Sequence, residues 1–271
     1  MQNKNPKLGP LGIRFFSYVQ ARHLSIVHLG ELQRPLGLTP LQERRLLARL
    51  NKSDFIFRLQ RGIYIIPDKI TSGSSWMPSE YLVIARYMEA HDAQYYLGGL
   101  MAFNRHGLST QIANQFTVYN NKVSALKKFG KFTVKFIKVA SKRICDFDSF
   151  PIPGEQQNVN IANLARTILD AIHDWKTYQI LSQAYGWLKK YSADRKFLSD
   201  FIRLTAQTAN CNTKRRVGFY LEKLGVNNSL LLPILKKLNP TAGWIALNPS
   251  SNQTGKTIKK WGIIDNVKYP Q

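Results

Sequence analysis

The sequence predicts an α+β protein in two parts: an N-terminal helix-and-hairpin domain, then a larger mixed α/β domain with a helical region. Three observations carry this. Leu38–Pro67, LTPLQERRLLARLNKSDFIFRLQRGIYIIP, has a helical period that gives way to two short β-type runs. NQFTVYN (Asn114–Asn120) and KFTVKFIKV (Lys131–Val139) alternate and are rich in β-branched and aromatic residues. From Asn160 onward helical stretches succeed one another until strand-like runs return in the tail. At 271 residues with 44% hydrophobic content, the chain is long enough for two ordinary domains and has ample material for a core.

Taken in order, Leu11–Leu24 reads as a first helix with Phe15, Phe16, Val19 and Leu24 available for packing, and Ile26–Leu38 as a short second helix broken by Pro35 and Gly37. TPLQ then starts a third: Thr39 as N-cap, Pro40 at the first helical position, and Gln42 completing a capping box. At about 100° per residue, Leu46, Leu47 and Leu50 share an inward arc. Arg44, Arg45 and Lys52 lie opposite, with Gln42 and Arg49 at the border. FIFRL, the turn QRG and IYIIP form a hairpin carrying Arg58 and Arg61 at or beside its tip. Helix, helix, basic helix and basic hairpin is the order of a winged helix-turn-helix, in which the third helix enters the major groove and the wing contacts the backbone or minor groove. Residues 1–70 form that domain, and TSGSSWMP (Thr71–Pro78) is the linker.

Residues 71–271 form the second domain, mixed α/β over 71–157 and mainly helical over 158–271. Pro78–Ala93 is a helix, QYYL a short strand, and Gly98–Leu108 a helix closed by Gly107. NNKVSALKKFG connects the two strands already named. Helices follow at Asn160–Asp174, Lys176–Tyr191, Ala193–Ala209, Thr213–Leu224 and Ser229–Leu238, and strand-like runs at GWIALNP and KKWGIIDNV.

Charge bounds the partner. There are 39 Lys and Arg against 16 Asp and Glu, net +23, whereas solubility needs a net charge of only about 2–8 on a small domain. A polyanion, and so nucleic acid, is expected. The excess sits at the two ends: 12 basic against 4 acidic residues up to Ile70, and 17 against 6 from Asn158. Lys214, Arg215 and Arg216 fall within one turn at a helix start, where cations oppose the helix dipole, and are a candidate second anion contact. For each charged face, an ordinary solvated surface is the competing reading.

No catalytic constellation is visible. His23, His28, His91, His106 and His173 are scattered without metal spacing, and Asp146 and Asp148 lack the Gly-Ser turn and third carboxylate of a nucleotidyl-transfer site. SNQTGKT (Ser251–Thr257) lacks the first glycine of a phosphate-binding loop and reads as a basic loop. No metal, no cofactor and no enzymatic activity are therefore expected. Cys145 and Cys211 form no CxxC pair, and no apolar run of signal-peptide or membrane-spanning length occurs, so a reduced, cytoplasmic setting without a membrane is expected.

The N-terminal basic helix and hairpin ending in RGIYIIP, then YYLGGLMAFNRHGLSTQIANQFTVYNNK (Tyr95–Lys122), KFTVKFIKV and NIANLARTILDAI (Asn160–Ile172), together resemble the AbiEi antitoxins of type IV, abortive-infection toxin–antitoxin operons. The resemblance covers most of the chain. It implies a transcriptional repressor that binds inverted repeats in double-stranded DNA of its own promoter. It also implies an antitoxin whose C-terminal domain counters a nucleotidyltransferase toxin without forming a stable complex with it. The DNA-contacting positions it carries over, by element rather than strict motif, are Thr39, Gln42, Arg44, Arg45, Arg49, Arg58 and Arg61; the outward face of the third helix adds Lys52. A nucleic-acid-processing enzyme delivered by the same N-terminal domain, and a repressor whose large domain senses a ligand, are the alternatives.

Overall fold

The computed structural model describes residues 8–69, 76–112, 115–155, 157–238 and 243–267. It is a mixed α+β fold that divides into two compact units, one comprising Met1–Ala90 with Ile152–Gln157 and the other His91–Pro151 with Asn158–Gln271. No helix among the described residues is long and apolar enough to cross a membrane.

In the first unit, α1 (Gly9–Ala21) turns Phe15, Phe16 and Val19 inward, where they meet Leu46, Leu47 and Leu50 of α3 (Pro40–Lys52) in one apolar cluster. The expected second helix over 26–38 is instead β1 (Ile26–His28) followed by the short α2 (Gln33–Leu36). The reason is long-range. Ile26, Val27 and His28 pair antiparallel with Ile65, Tyr64 and Ile63 of β3 (Ile63–Ile65), a partner that no local pattern reveals. Pro35 costs α2 little, since it sits in the first turn, where its missing N–H has no helical partner to lose. β2 (Phe57–Gln60) pairs with the other side of β3, so the sheet runs β1-β3-β2.

The linker expected at Thr71–Pro78 lies largely outside the described residues. The helix after it, α4 (Glu80–Glu89), starts on the side-chain cap of Ser79 and belongs to the first unit, where the Arg86 guanidinium donates to Ser25 Oγ at 2.6 Å. The first compact unit thus reaches to Ala90, past the boundary expected at residue 70.

The second unit is built on a six-stranded sheet in the order β6-β7-β5-β4-β9-β8. Its strands are β4 (Tyr95–Gly98), β5 (Gln115–Asn120), β6 (Ala125–Phe129), β7 (Phe132–Lys138), β8 (Phe147–Pro151) and β9 (Asn158–Ala162), with α5 (Leu100–Arg105) between β4 and β5. β6 replaces what the sequence reads as a connection: ALKKF is rich in lysine, yet it pairs with β7 across a turn at Gly130, whose φ of +55° suits glycine. β9 takes the first residues of the helix expected at Asn160, and cuts across the boundary expected at 157/158. The helix itself, α6 (Leu164–His173), begins after Asn163, whose side chain accepts from the Arg166 N–H.

Four longer helices or helix pieces follow: α7 (Trp175–Tyr178) with α8 (Leu181–Tyr191), α9 (Arg195–Thr208), α10 (Cys211–Lys223) and α11 (Asn228–Leu235). The tail closes with β10 (Ile245–Ala246), β11 (Lys256–Ile258) and β12 (Ile263–Asp265) in the order β10-β12-β11. The loop expected at Ser251–Thr257 is one as far as Gly255, and its last two residues, Lys256 and Thr257, open β11.

A buried charge network joins sheet to helices. Asp170 of α6 accepts from Arg166 at 2.5 Å, from Arg143 at 2.9 Å and from the Tyr96 hydroxyl of β4 at 2.8 Å, and Arg166 also donates to Thr208 of α9 at 3.0 Å. Burial alone pushes the Asp170 carboxyl up, but the two guanidiniums outweigh it and hold it below the usual carboxylate range. Its contribution to stability is therefore complete above the unfolded carboxyl value of about 3.9 and is lost as pH falls through the lower folded value. Replacing Asp170 by Asn leaves the buried Arg166 guanidinium without a counter-charge, while Arg143 keeps Asp174 at 3.0 Å, and should cost about 3–5 kcal/mol at neutral pH. Urea unfolding followed by circular dichroism checks both parts: the variant should start lower, and should lack the share of acid destabilisation that Asp170 supplies in the parent.

Candidate nucleic-acid interface

The third helix starts as its sequence dictates. Thr39 Oγ1 accepts from the Gln42 N–H at 3.3 Å while Gln42 Oε1 accepts from the Thr39 N–H at 2.9 Å, so the capping box is closed. What orients the helix is Glu43, fully buried among four inward positions with Leu46, Leu47 and Leu50. Its carboxylate accepts from the N–H groups of Gly30 and Leu32 at 2.8 and 3.1 Å, and from the Gln33 side-chain amide at 2.9 Å. The opposite face is thereby turned to solvent: Arg44, Arg45, Arg49 and Lys52 are all exposed.

The hairpin is fastened to the far end of this helix. Asn51 Oδ1 accepts from the Arg58 N–H at 2.8 Å, so Lys52 and Arg58 flank one junction. Arg58 is exposed and lies opposite Tyr64, next to a register shift between Arg58 and Gln60. Arg61, also exposed, stands in the turn before Gly62, whose φ of +78° is the left-handed conformation the turn requires and whose carbonyl accepts from the Leu29 N–H at 2.7 Å. The arrangement offers guanidinium and ammonium groups from one helix face and from the hairpin fastened to its end. Such groups suit phosphate oxygens and guanine edges.

The predicted residues do not all fall into one role. Arg45 and Lys52 extend from the middle of the exposed arc. Arg49 is drawn aside, its Nη2 donating to the Leu8 carbonyl at 3.3 Å. Thr39 and Gln42 serve the cap: pairing with adenine takes both ends of a glutamine amide, and the Gln42 oxygen is already engaged. Leu41 was missed by a reading centred on charge. It is 56% exposed, on the same face as Arg45, where its methyls are of the kind that meet a thymine methyl. The signal was available in the helical period, since Leu41 falls outside the arc of Leu46, Leu47 and Leu50.

The second candidate anion contact is corrected. Arg215 and Arg216 are only 5% and 7% exposed. Arg215 donates to the carbonyls of Trp261 at 2.7 Å, Gly243 at 2.7 Å and Gly262, and Arg216 to that of Ala246 at 3.1 Å. Both bind the C-terminal strands to α10, and neither guanidinium is presented to solvent. Lys214 alone keeps partial exposure; burial, then Lys142 and Lys237, push its ammonium below the usual lysine value.

The catalytic candidates are also dispersed. His106 Nε2 is bonded to the Ala162 carbonyl at 2.8 Å, and Asp146 accepts from Arg203 at 2.7 Å. Among the described residues no group of three or more His, Cys, Asp or Glu is placed to hold a metal ion.

Fold and site together define a two-unit α+β protein with a cationic helix-and-hairpin face. Residues 39–181 match the family of unknown function DUF6088; the match takes in more than half of the chain, which belongs to that family. Among curated proteins no sequence matches. A similar solved structure is the crystal structure of the RV2827C protein from Mycobacterium tuberculosis, with a TM-score of 0.60 and 12% identity over 97% of this chain and 93% of that one. That likeness is one of fold.

If Arg215 is a tie and not a contact, Arg215→Ala should lower stability by about 3 kcal/mol, because buried carbonyls lose their donor. Any binding of DNA by the folded variant should show the same salt dependence as in the parent. Urea titration and a binding series in increasing salt check the two halves.

Proposed function

We propose that the first unit is a winged helix-turn-helix that binds double-stranded DNA, with α3 in the major groove and the β2–β3 hairpin as the wing. On this reading the protein represses its own operon from inverted repeats in the promoter. The observation that carries it is the burial of Glu43 behind α3, which leaves Arg44, Arg45, Arg49 and Lys52 outward on the helix whose end holds the Arg58 and Arg61 hairpin. A net charge of +23 supports a polyanionic partner. Arg45 and Lys52 are then the central groove contacts, Arg58 and Arg61 the backbone contacts of the wing, and Arg49 positions the start of α1.

The antitoxin half of the proposal rests on the resemblance to the AbiEi family. The second unit counters a nucleotidyltransferase toxin encoded beside it, in the cytoplasm and without catalysis of its own. Co-expression with the adjacent gene tests this by growth: restored growth supports the reading, and growth arrest unrelieved by this protein refutes it.

The two kinds of contact separate by measurement. Gel-shift titration on the protein's own promoter should show Arg45→Ala weaker by about 1–3 kcal/mol, with relaxed sequence preference. Arg58→Ala and Arg61→Ala should weaken binding across all sequences, each lowering the slope of log affinity against log salt by about 0.9. If all three variants match the parent, this face is not the DNA-binding surface.

A further inference from the structure

The second unit holds a pocket of about 580 Å3 between α5, the loop after it, α7 and the first turns of α8. That volume is in the range of small-molecule sites. Phe103, only 2% exposed, is part of its lining. The Tyr178 ring meets Phe103 edge-on, with centroids 5.3 Å apart, and the Trp187 ring leans on it at 5.2 Å, so three aromatic rings converge on one space. The Tyr178 ring is fixed by a hydrogen bond and a close backbone approach. The hydroxyls of Tyr178 and Tyr119 are 2.8 Å apart, and Tyr119 donates onward to the Asp174 carboxylate at 2.8 Å. Gly99, at φ +61°, lets the chain pass Tyr178 so closely that a Cβ there would sit 3.1 Å from the ring. The loop wall is fixed as well, since the Asn104 amide donates to the Gln111 carbonyl at 2.7 Å.

The lining has a chemical signature. In a chain of net charge +23, the lining carries no Lys, Arg, His, Asp or Glu among the described residues. Its polar groups are neutral, the amides of Gln111 and Gln183 and hydroxyls such as Thr110. A phosphate or a carboxylate finds no counter-charge inside. A flat neutral ring with amide-like edges finds stacking faces and both donors and acceptors. We propose that this pocket binds a nucleobase, either of a free nucleoside or of an unpaired nucleotide in a single strand whose phosphates stay outside, where Lys176 is exposed beside Thr177. The proposal is independent of the duplex-binding reading of the first unit.

The test titrates full-length protein with adenosine, guanosine, cytidine, uridine, a short single-stranded oligonucleotide and its duplex, followed by calorimetry. At least one nucleoside or the single strand should bind saturably, with Trp187→Ala weakening it about tenfold or more. Gln183→Ala, an exposed position, should reorder the preference among bases without changing the melting temperature. Arg45→Ala should leave this binding intact. Equal affinity for nucleoside and single strand identifies a small-molecule site; a single strand binding at least tenfold tighter identifies the strand as the source. Absence of saturable binding by every probe except the duplex, or full affinity in a folded Trp187→Ala together with Gln183→Ala, overturns the proposal. Should Trp187→Ala fail to fold, unchanged affinity and base ranking in Gln183→Ala alone overturns it.

Discussion

The carboxylate of Glu43 decides which way the third helix faces. A carboxylate removed from water is costly unless donors saturate it, and this one is saturated by two backbone N–H groups from the segment between β1 and α2 and by the side-chain amide of Gln33 at the start of α2. Those donors occur at one place in the unit, so α3 cannot turn about its axis without leaving the charge unpaired. Rotation by a single residue would trade Glu43 for Gln42 or Arg44, neither of which can accept from the same N–H groups as a carboxylate does. The three leucines alone would tolerate a broader range of orientations, because apolar packing is not directional. The polar anchor supplies the direction, and through Asn51 the direction passes to the hairpin.

Local chemistry was legible in the sequence. Thr39–Pro40–Gln42 announced a capped helix start and the structure has it in full; the leucine arc, α1, the hairpin and the strands β5 and β7 followed from periodicity. What escaped the reading depended on partners far along the chain. Ile26–His28 becomes a strand because β3 lies beside it, and ALKKF becomes one because β7 does, although its lysines look like a turn's. Glu43 escaped for the same reason: a glutamate amid basic residues reads as surface until its three donors, ten or more residues upstream, are in view.

The arginines show why charge counting alone misplaces a site. Arg44, Arg45, Arg58 and Arg61 are exposed, while Arg166, Arg215 and Arg216 are buried and Arg143 nearly so. All eight contribute equally to the net charge. Only the first four are available to a polyanion at contact distance; the others donate to carbonyls and carboxylates inside the second unit. A run such as Lys214–Arg216 looks more like a phosphate site than the spaced residues of α3 do, yet α10 buries two of its three members. The deciding quantity is the number of acceptors the fold brings to each guanidinium, and Arg215 meets three carbonyls from a tail more than twenty residues away.

The same accounting separates the buried network from the pocket beside it. Asp170 pairs with Arg166 and Arg143, and Asp174 joins them through Arg143 at 3.0 Å. Asp174 also accepts from Tyr119, and Tyr119 meets Tyr178, so the pocket's aromatic wall is the last link of a chain anchored in paired charges. Burial pushes the Tyr119 and Tyr178 hydroxyls well above the usual tyrosine value, which keeps both neutral at any physiological pH and preserves their roles as donors. A ring fixed in this way has little rotamer freedom left to lose when a ligand stacks on it, and the ordering cost of binding falls accordingly. Among the described residues none of these charged side chains lines the cavity, so the wall is braced by paired charges while the lining stays neutral, and that combination favours a flat neutral ring over an anion.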